Sequence, residues 1–152
     1  MRVFRICKKK FAQAAFSGEG SRLYAGRWNP AGVSMVYTSA SLALASVELF
    51  VHLDPSVAPN DLVSIAADIP DDLAMETIAV ESLPRDWRSL NHASLRKRGA
   101  DWIRAGRTVA MRVPSAVVTG EWNVLLNPAH GDFTKIVQQK PLPFRFDDRM
   151  FR

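Results

Sequence analysis

The sequence predicts an α+β fold: a single compact domain with a mixed, largely antiparallel sheet and flanking helices. Three observations lead there. Strand-like segments outnumber helical ones, and the two kinds are interspersed along the chain. The 152 residues are 47% apolar and 23% charged, the usage of an ordinary globular protein, and a chain of this size buries roughly 70% of the surface it exposes when open. No repeat or low-complexity linker divides it, so one domain is expected over residues 1–152.

Val3 to Cys7 reads as a strand, with Val3, Arg5 and Cys7 on one face and Phe4 and Ile6 on the other. Lys8 to Phe16 fits a short helix. Ser17 to Pro30 is loop-like, with Gly18, Gly20, Gly26 and Pro30 spaced around Arg22, Tyr24, Arg27 and Trp28. Met35 to Thr38 is a strand. Ser39 and Ser41 are candidate N-caps for a helix running to about Leu53, which Asp54-Pro55 ends. Asp61 to Ile69 and Met75 to Val80 read as strands, and Leu83 to Trp87 as irregular. Asn91 to Ala105 forms an amphipathic helix with Leu95, Trp102 and Ile103 inward, stopped by Gly106. Thr108 to Val113 is a strand ended by Pro114, and Ser115 to Thr119 is a short extended segment. Glu121 to Pro128 reads as a loop, Asp132 to Val137 as a short element, and Phe144 to Phe146 as a final strand.

Composition excludes several classes. One cysteine cannot close an internal disulfide, so a stapled secreted scaffold is out. The N-terminal segment Met1 to Lys10 is interrupted by charge too early for a signal peptide. The longest apolar stretch, Leu42 to Leu53, is too short to span a bilayer and contains Glu48 and His52. The expectation is a soluble cytoplasmic protein without a membrane partner. The 20 Lys and Arg against 15 Asp and Glu favour an anionic partner: nucleic acid, a phosphorylated small molecule or an acidic protein.

Glu48 is the most informative residue. Its helix is apolar nearly all round, which predicts a buried helix. Its neighbours at three and four positions are Ala45, Leu44, Val51 and His52, so no Lys or Arg lies in helical reach. A carboxylate there needs hydrogen bonds or a distant cation. Either it reaches water at the helix rim or it lines a cleft. Arg27, in Gly26-Arg27-Trp28-Asn29-Pro30, sits in a glycine-rich loop where a guanidinium can grip phosphate oxygens. Trp28 either braces that loop or stacks on a ring. Arg5, inside an apolar strand, needs a partner: Glu48 or a bound anion. Tyr37 closes a strand just before the Glu48 helix, a usual place for a core tyrosine with a satisfied hydroxyl.

Other chemistries lack their residues. His52, His92 and His130 are scattered without zinc-site spacing. Cys7 reads as a core residue without a base. Ser115 follows Pro114 without nucleophile-elbow glycines. Lys8-Lys9-Lys10 and Arg96-Lys97-Arg98 are basic clusters of the kind that usually form solvated faces, and no nucleic-acid module accompanies them.

Together these residues resemble the RES-domain family, named for its Arg, Glu and Ser. The resemblance rests on Phe4-Arg5-Ile6, Gly26-Arg27-Trp28-Asn29, Val36-Tyr37-Thr38-Ser39, the Glu48 helix and Val113-Pro114-Ser115-Ala116-Val117-Val118. It continues through Asn123-Val124-Leu125-Leu126-Asn127-Pro128 and Phe144-Arg145-Phe146-Asp147. Order and spacing match over nearly the whole chain, more loosely from Asp86 to Arg107, where Leu95 to Gly99 is unusually charged.

The resemblance implies a fold similar to ADP-ribosyltransferases and the toxin half of a bacterial toxin–antitoxin pair. It implies NAD as substrate, cleaved at the nicotinamide–ribose bond by hydrolysis or phosphorolysis, or used to modify a protein with ADP-ribose, with no metal. The implied partner is an Xre/MbcA/ParS-type antitoxin that covers the active-site cleft; the toxin itself is not expected to bind nucleic acid, and a homo-oligomer is left open. Residue by residue, it implies Glu48 as the carboxylate beside the ribose and Arg5 and Arg27 as clamps on the pyrophosphate or adjoining ribose oxygens. Tyr37 would stack on or orient the nicotinamide. Ser115 would hold the ribose or position Glu48, and Asn123 would help shape the pocket. Trp28 and Asn29 would support the loop. The other readings are a protein ADP-ribosyltransferase and a non-enzymatic nucleic-acid binder using the basic clusters.

Overall fold

The structure is a computed structural model describing residues 1–151. In chain order the elements are β1 (Arg2–Lys8), a 3-10 helix (Lys9–Ala14), α1 (Glu19–Leu23), β2 (Val36–Ser39), α2 (Leu42–Phe50), β3 (Leu62–Asp68) and β4 (Met75–Thr77). A 3-10 turn (Val80–Ser82), α3 (Ala93–Ala105), β5 (Ala110–Pro114), β6 (Trp122–Leu126) and a 3-10 helix (Gly131–Lys135) follow, then β7 (Val137–Gln138), β8 (Leu142–Phe144) and a 3-10 turn (Asp148–Phe151). The eight strands form one sheet in the order β4-β5-β6-β2-β1-β3-β7, with β8 beside β3. Every pairing is antiparallel except β4 with β5. The expected α+β class and mixed sheet are what the chain forms.

Side chains alternate across a strand with period two, and here both faces of the sheet centre are covered. Ala110, Val124 and Leu126 join Val3, Val36 and the β3 residues in one apolar cluster. Met111, Val113 and Leu125 join Trp28, Trp87, Trp102, Met35 and Leu95 in the other. Each large side chain fully buried this way stabilises the fold by roughly 1.5–3 kcal/mol.

Burial on both faces explains the largest correction to the sequence reading. Residues 122–126 form a central strand, not a loop. Their run Val124-Leu125-Leu126 is apolar at every position because both faces are covered. Residues 115–119 are a turn rather than an extended segment. The loop from Ser17 to Pro30 contains the short helix α1, and β4 stops at Thr77 rather than Val80.

Helix α2 differs too. Ser41, not Ser39, caps it, with Ser41 Oγ accepting from the Leu44 N–H at 3.1 Å. Regular helix ends at Phe50, and tighter bonds from the His52 and Leu53 N–H groups to Leu49 and Phe50 carry the winding to the expected end. Only Leu44 and Ala45 of the helix are fully buried. The helix is therefore not enclosed, and its Ala45, Glu48 and Leu49 side borders a cavity. Helix α3 behaves as its pattern predicts, burying Leu95 and Trp102 and ending at Gly106, whose φ of +57° forms the left-handed C-cap.

Candidate active site

A cavity of about 630 Å³ opens beside the middle of β1 and the ends of β2, β5 and β6, under α2 and the start of α3. That is a usual volume for a small-ligand site. Glu48 enters it from α2, and Arg5, Arg27, Tyr37 and Asn123 line it as well. Ser115 lies just behind the wall, buried, and reaches the cavity through Glu48. All six residues expected from the sequence are thus brought to one place.

The register of the sheet builds the support for Glu48. Ser39 on β2 and Val113 on β5 flank Asn123 on β6 in one rung. Asn123 Nδ2 donates to Glu48 Oε1 at 2.6 Å, and Asn123 Oδ1 accepts from Ser39 Oγ at 2.7 Å. Two residues beyond Val113, Ser115 Oγ donates to the same Glu48 Oε1 at 2.6 Å. The N–H groups of Val117 and Val118 donate to Ser115 Oγ at 3.1 and 2.9 Å. With its acceptor positions so occupied, the hydroxyl's one proton is directed at Glu48. The Ser115 hydroxyl thereby holds Glu48 Oε1 in place. Glu48 Oε1 is held twice, while Oε2 accepts from no described residue.

Arg5 does not pair with Glu48, which removes one of the two expectations for it. Strands β1 and β2 meet at a single register position, Phe4 against Ser39. Beside that gap Arg5 Nη1 donates to the Tyr37 carbonyl at 2.8 Å. Its Nε is buried without a hydrogen-bond partner among the described residues, a costly omission. Burial lowers the Arg5 pKa.

Arg27 Nη1 donates to the carbonyls of Trp87 and Ser89 at 2.8 and 3.0 Å. Burial lowers its pKa, and the charge of nearby Glu48 pulls the other way. Tyr37 Oη donates to Asn29 Oδ1 at 2.7 Å and accepts from the Trp28 N–H at 3.0 Å, so the hydroxyl is spent on the loop and the ring is what it offers a ligand. Its pKa is raised, first by burial. Asn29, fully buried, also donates from Nδ2 to the Ser21, Tyr24 and Pro30 carbonyls. Trp28 is a core plug. Gly26 leaves no room for a side chain, since a Cβ would lie 2.7 Å from both Asn29 Oδ1 and Tyr37 Oη.

Sequence reasoning missed three residues here. Ser39, read as a helix cap, orients Asn123 instead. Asn91 and Arg96 line the cavity. Asn91 adopts φ +63°, a conformation few residues other than glycine take, but nothing in its sequence context signals that. Arg96 lay inside a charge run. Chemically the site joins one fixed carboxylate to arginines in no close ion pair: Arg5, Arg27 and Arg96 form none among the described residues. Such a cavity suits an anionic ligand with an electron-deficient centre near the carboxylate.

The family model of the RES domain matches residues 2–147. A protein of Photorhabdus laumondii named Toxin Res is 32% identical over 100% of this chain and 98% of its own length. A Sphingobium protein named Prs ADP-ribosylating toxin is 35% identical over 90% of this chain and 86% of its own. The fold resembles the crystal structure of the M. tuberculosis MbcT–MbcA toxin–antitoxin complex, with a TM-score of 0.74, 17% identity, and coverage of 95% of this chain and 84% of that one.

Proposed function

The chain belongs to the RES-domain family, and on that premise we propose that it is the toxin of a toxin–antitoxin pair and consumes NAD at the nicotinamide–ribose bond. One observation carries the reading: Glu48 is fixed through Oε1 by Ser115 and Asn123, with Oε2 left free beside a cavity walled by unpaired arginines.

The chemistry follows from charge. In NAD the nicotinamide ring is a cationic pyridinium. When the bond from its nitrogen to ribose C1′ breaks, the electron pair goes to the ring and nicotinamide leaves neutral, needing no general acid. Positive charge develops on the ribose, where the Glu48 carboxylate stabilises it electrostatically or holds its hydroxyl groups. Arg5 and Arg27 grip the pyrophosphate. The Tyr37 ring packs on or orients the nicotinamide. Then either a water oxygen bonds to C1′ and releases a proton to solvent, or an anionic oxygen of inorganic phosphate bonds to C1′ directly. No step draws on a metal. An antitoxin over the cavity mouth would stop the reaction by exclusion.

The test is to incubate the protein with NAD, with and without phosphate, and follow free nicotinamide and the ribose product. Nicotinamide release is expected, with ADP-ribose marking hydrolysis and its 1″-phosphate marking phosphorolysis. Intact NAD after prolonged incubation with folded protein refutes the reading. The name of the Sphingobium relative favours a second reading, transfer of ADP-ribose to a protein. That reading expects an added ADP-ribose on a target by mass spectrometry, and rapid release of free ADP-ribose without it counts against transfer.

A further inference from the structure

We propose that Arg96 is a ligand of the substrate's phosphate groups, completing with Arg27 a two-guanidinium clamp inside the cavity. The proposal rests on the NAD reading for the identity of the nucleotide, and its own test does not depend on cleavage.

The residues around Arg96 in the basic run are spent elsewhere. Lys97 pairs with Asp101, and Arg98 donates to Ser82 Oγ at 3.1 Å. Arg96 alone of the three lines the cavity. Its Nε donates to the Gly26 carbonyl at 3.0 Å and its Nη2 to Asn91 Oδ1 at 2.7 Å. Both partners are neutral, so the charge is oriented but not cancelled. Nη1 has no protein partner among the described residues and is not buried, which leaves a donor open to a ligand.

The placement is built by close packing. Gly99 lies one turn further along α3, and a Cβ there would stand 1.8 Å from the Trp28 carbonyl oxygen. Only a glycine lets the helix sit so close to the 26–29 loop. That approach brings Arg96 to Gly26, the neighbour of Arg27. Arg27, Tyr37 and Arg96 all line the same cavity. Two guanidiniums held by neutral acceptors in one cavity match a pyrophosphate, whose two negative charges they balance.

The experiment measures ADP binding by calorimetry for wild type, R96Q, R96K and R98Q, with melting temperature recorded for each. ADP carries the phosphates without the reacting bond. R96Q is expected to weaken ADP binding about tenfold or more, the scale of one charge-assisted hydrogen bond. It should also flatten the dependence of affinity on salt. R96K should recover part of the loss, and R98Q should bind as wild type. With NAD, R96Q should raise KM and leave kcat nearly unchanged. An R96Q variant that binds ADP like wild type overturns the proposal. So does one that loses affinity with an unchanged salt dependence and no recovery in R96K, which marks a loop brace. Failure of nicotinamide release with the ADP pattern intact would refute the catalytic reading and leave the phosphate clamp standing.

Discussion

At the scale of single residues, the site is a problem in directing one carboxylate. Glu48 was legible because it stands alone in an apolar helix, and such a residue must find donors outside that helix. Which donors it finds was not legible from local pattern, because Ser39, Ser115 and Asn123 are far apart in sequence and meet through register. Arg96 was illegible for another reason: a cation in a run of cations looks the same whether it faces water or a cavity. Ser115→Ala removes one of the two donors to Glu48 and strands the Val117 and Val118 N–H groups. It should cost about 1–3 kcal/mol of stability and lower kcat more than it raises KM, read by denaturant melts and nicotinamide release. A kcat equal to wild type would show that Ser115 does not position Glu48. Tyr37→Phe leaves Asn29 Oδ1 and the Trp28 N–H without their shared partner. A stability loss of about 1–3 kcal/mol is expected, with kcat less affected than in Ser115→Ala.

At the scale of elements, α3 and the 26–29 loop are fitted backbone to helix. Gly99→Ala should force them apart and lower stability by roughly 1–3 kcal/mol or more, the usual range for overpacking. It should also weaken nucleotide binding, because Arg96 leaves the cavity wall with the helix. An unchanged melting temperature would contradict the packing described. The amphipathic α3 and the capped α2 were readable because helix periodicity and end signals are local. Strand β6 was not. Its glycine, asparagine and proline flanks mimic a loop, and its apolar run lacks alternation because the sheet is covered on both faces there. Half-enclosed α2 misled in the opposite sense: an all-round apolar helix suggests burial, whereas one side of it borders the cavity.

At the scale of the whole molecule, the formal charge of +5 divides into two parts. Three arginines sit unpaired in the cavity, while many surface cations meet carboxylates. Asp68, Asp101, Asp132 and Asp147 are held below the ordinary 3.8 chiefly by hydrogen bonds to Arg2, Lys97, Lys135 and Arg149. In the unfolded chain they take up protons at higher pH than in the folded one. Their stabilisation is therefore present above the unfolded value and lost as pH falls through the folded ones. Each pair is exposed and small, so the melting temperature should stay level from neutral to about pH 5 and fall below about pH 4. A melting temperature that rises in that range would contradict these lowered carboxylate pKa values. The central claim is that the fixed Glu48 carboxylate drives loss of nicotinamide from NAD. Its most direct test is the time course of free nicotinamide from NAD with wild type and Glu48→Gln, which keeps the shape and removes the charge. Release by wild type is expected, with a loss of about a hundredfold or more in the variant, the scale of one electrostatic catalytic group, and ADP still bound. Equal release by both, or none by folded wild type, would contradict it.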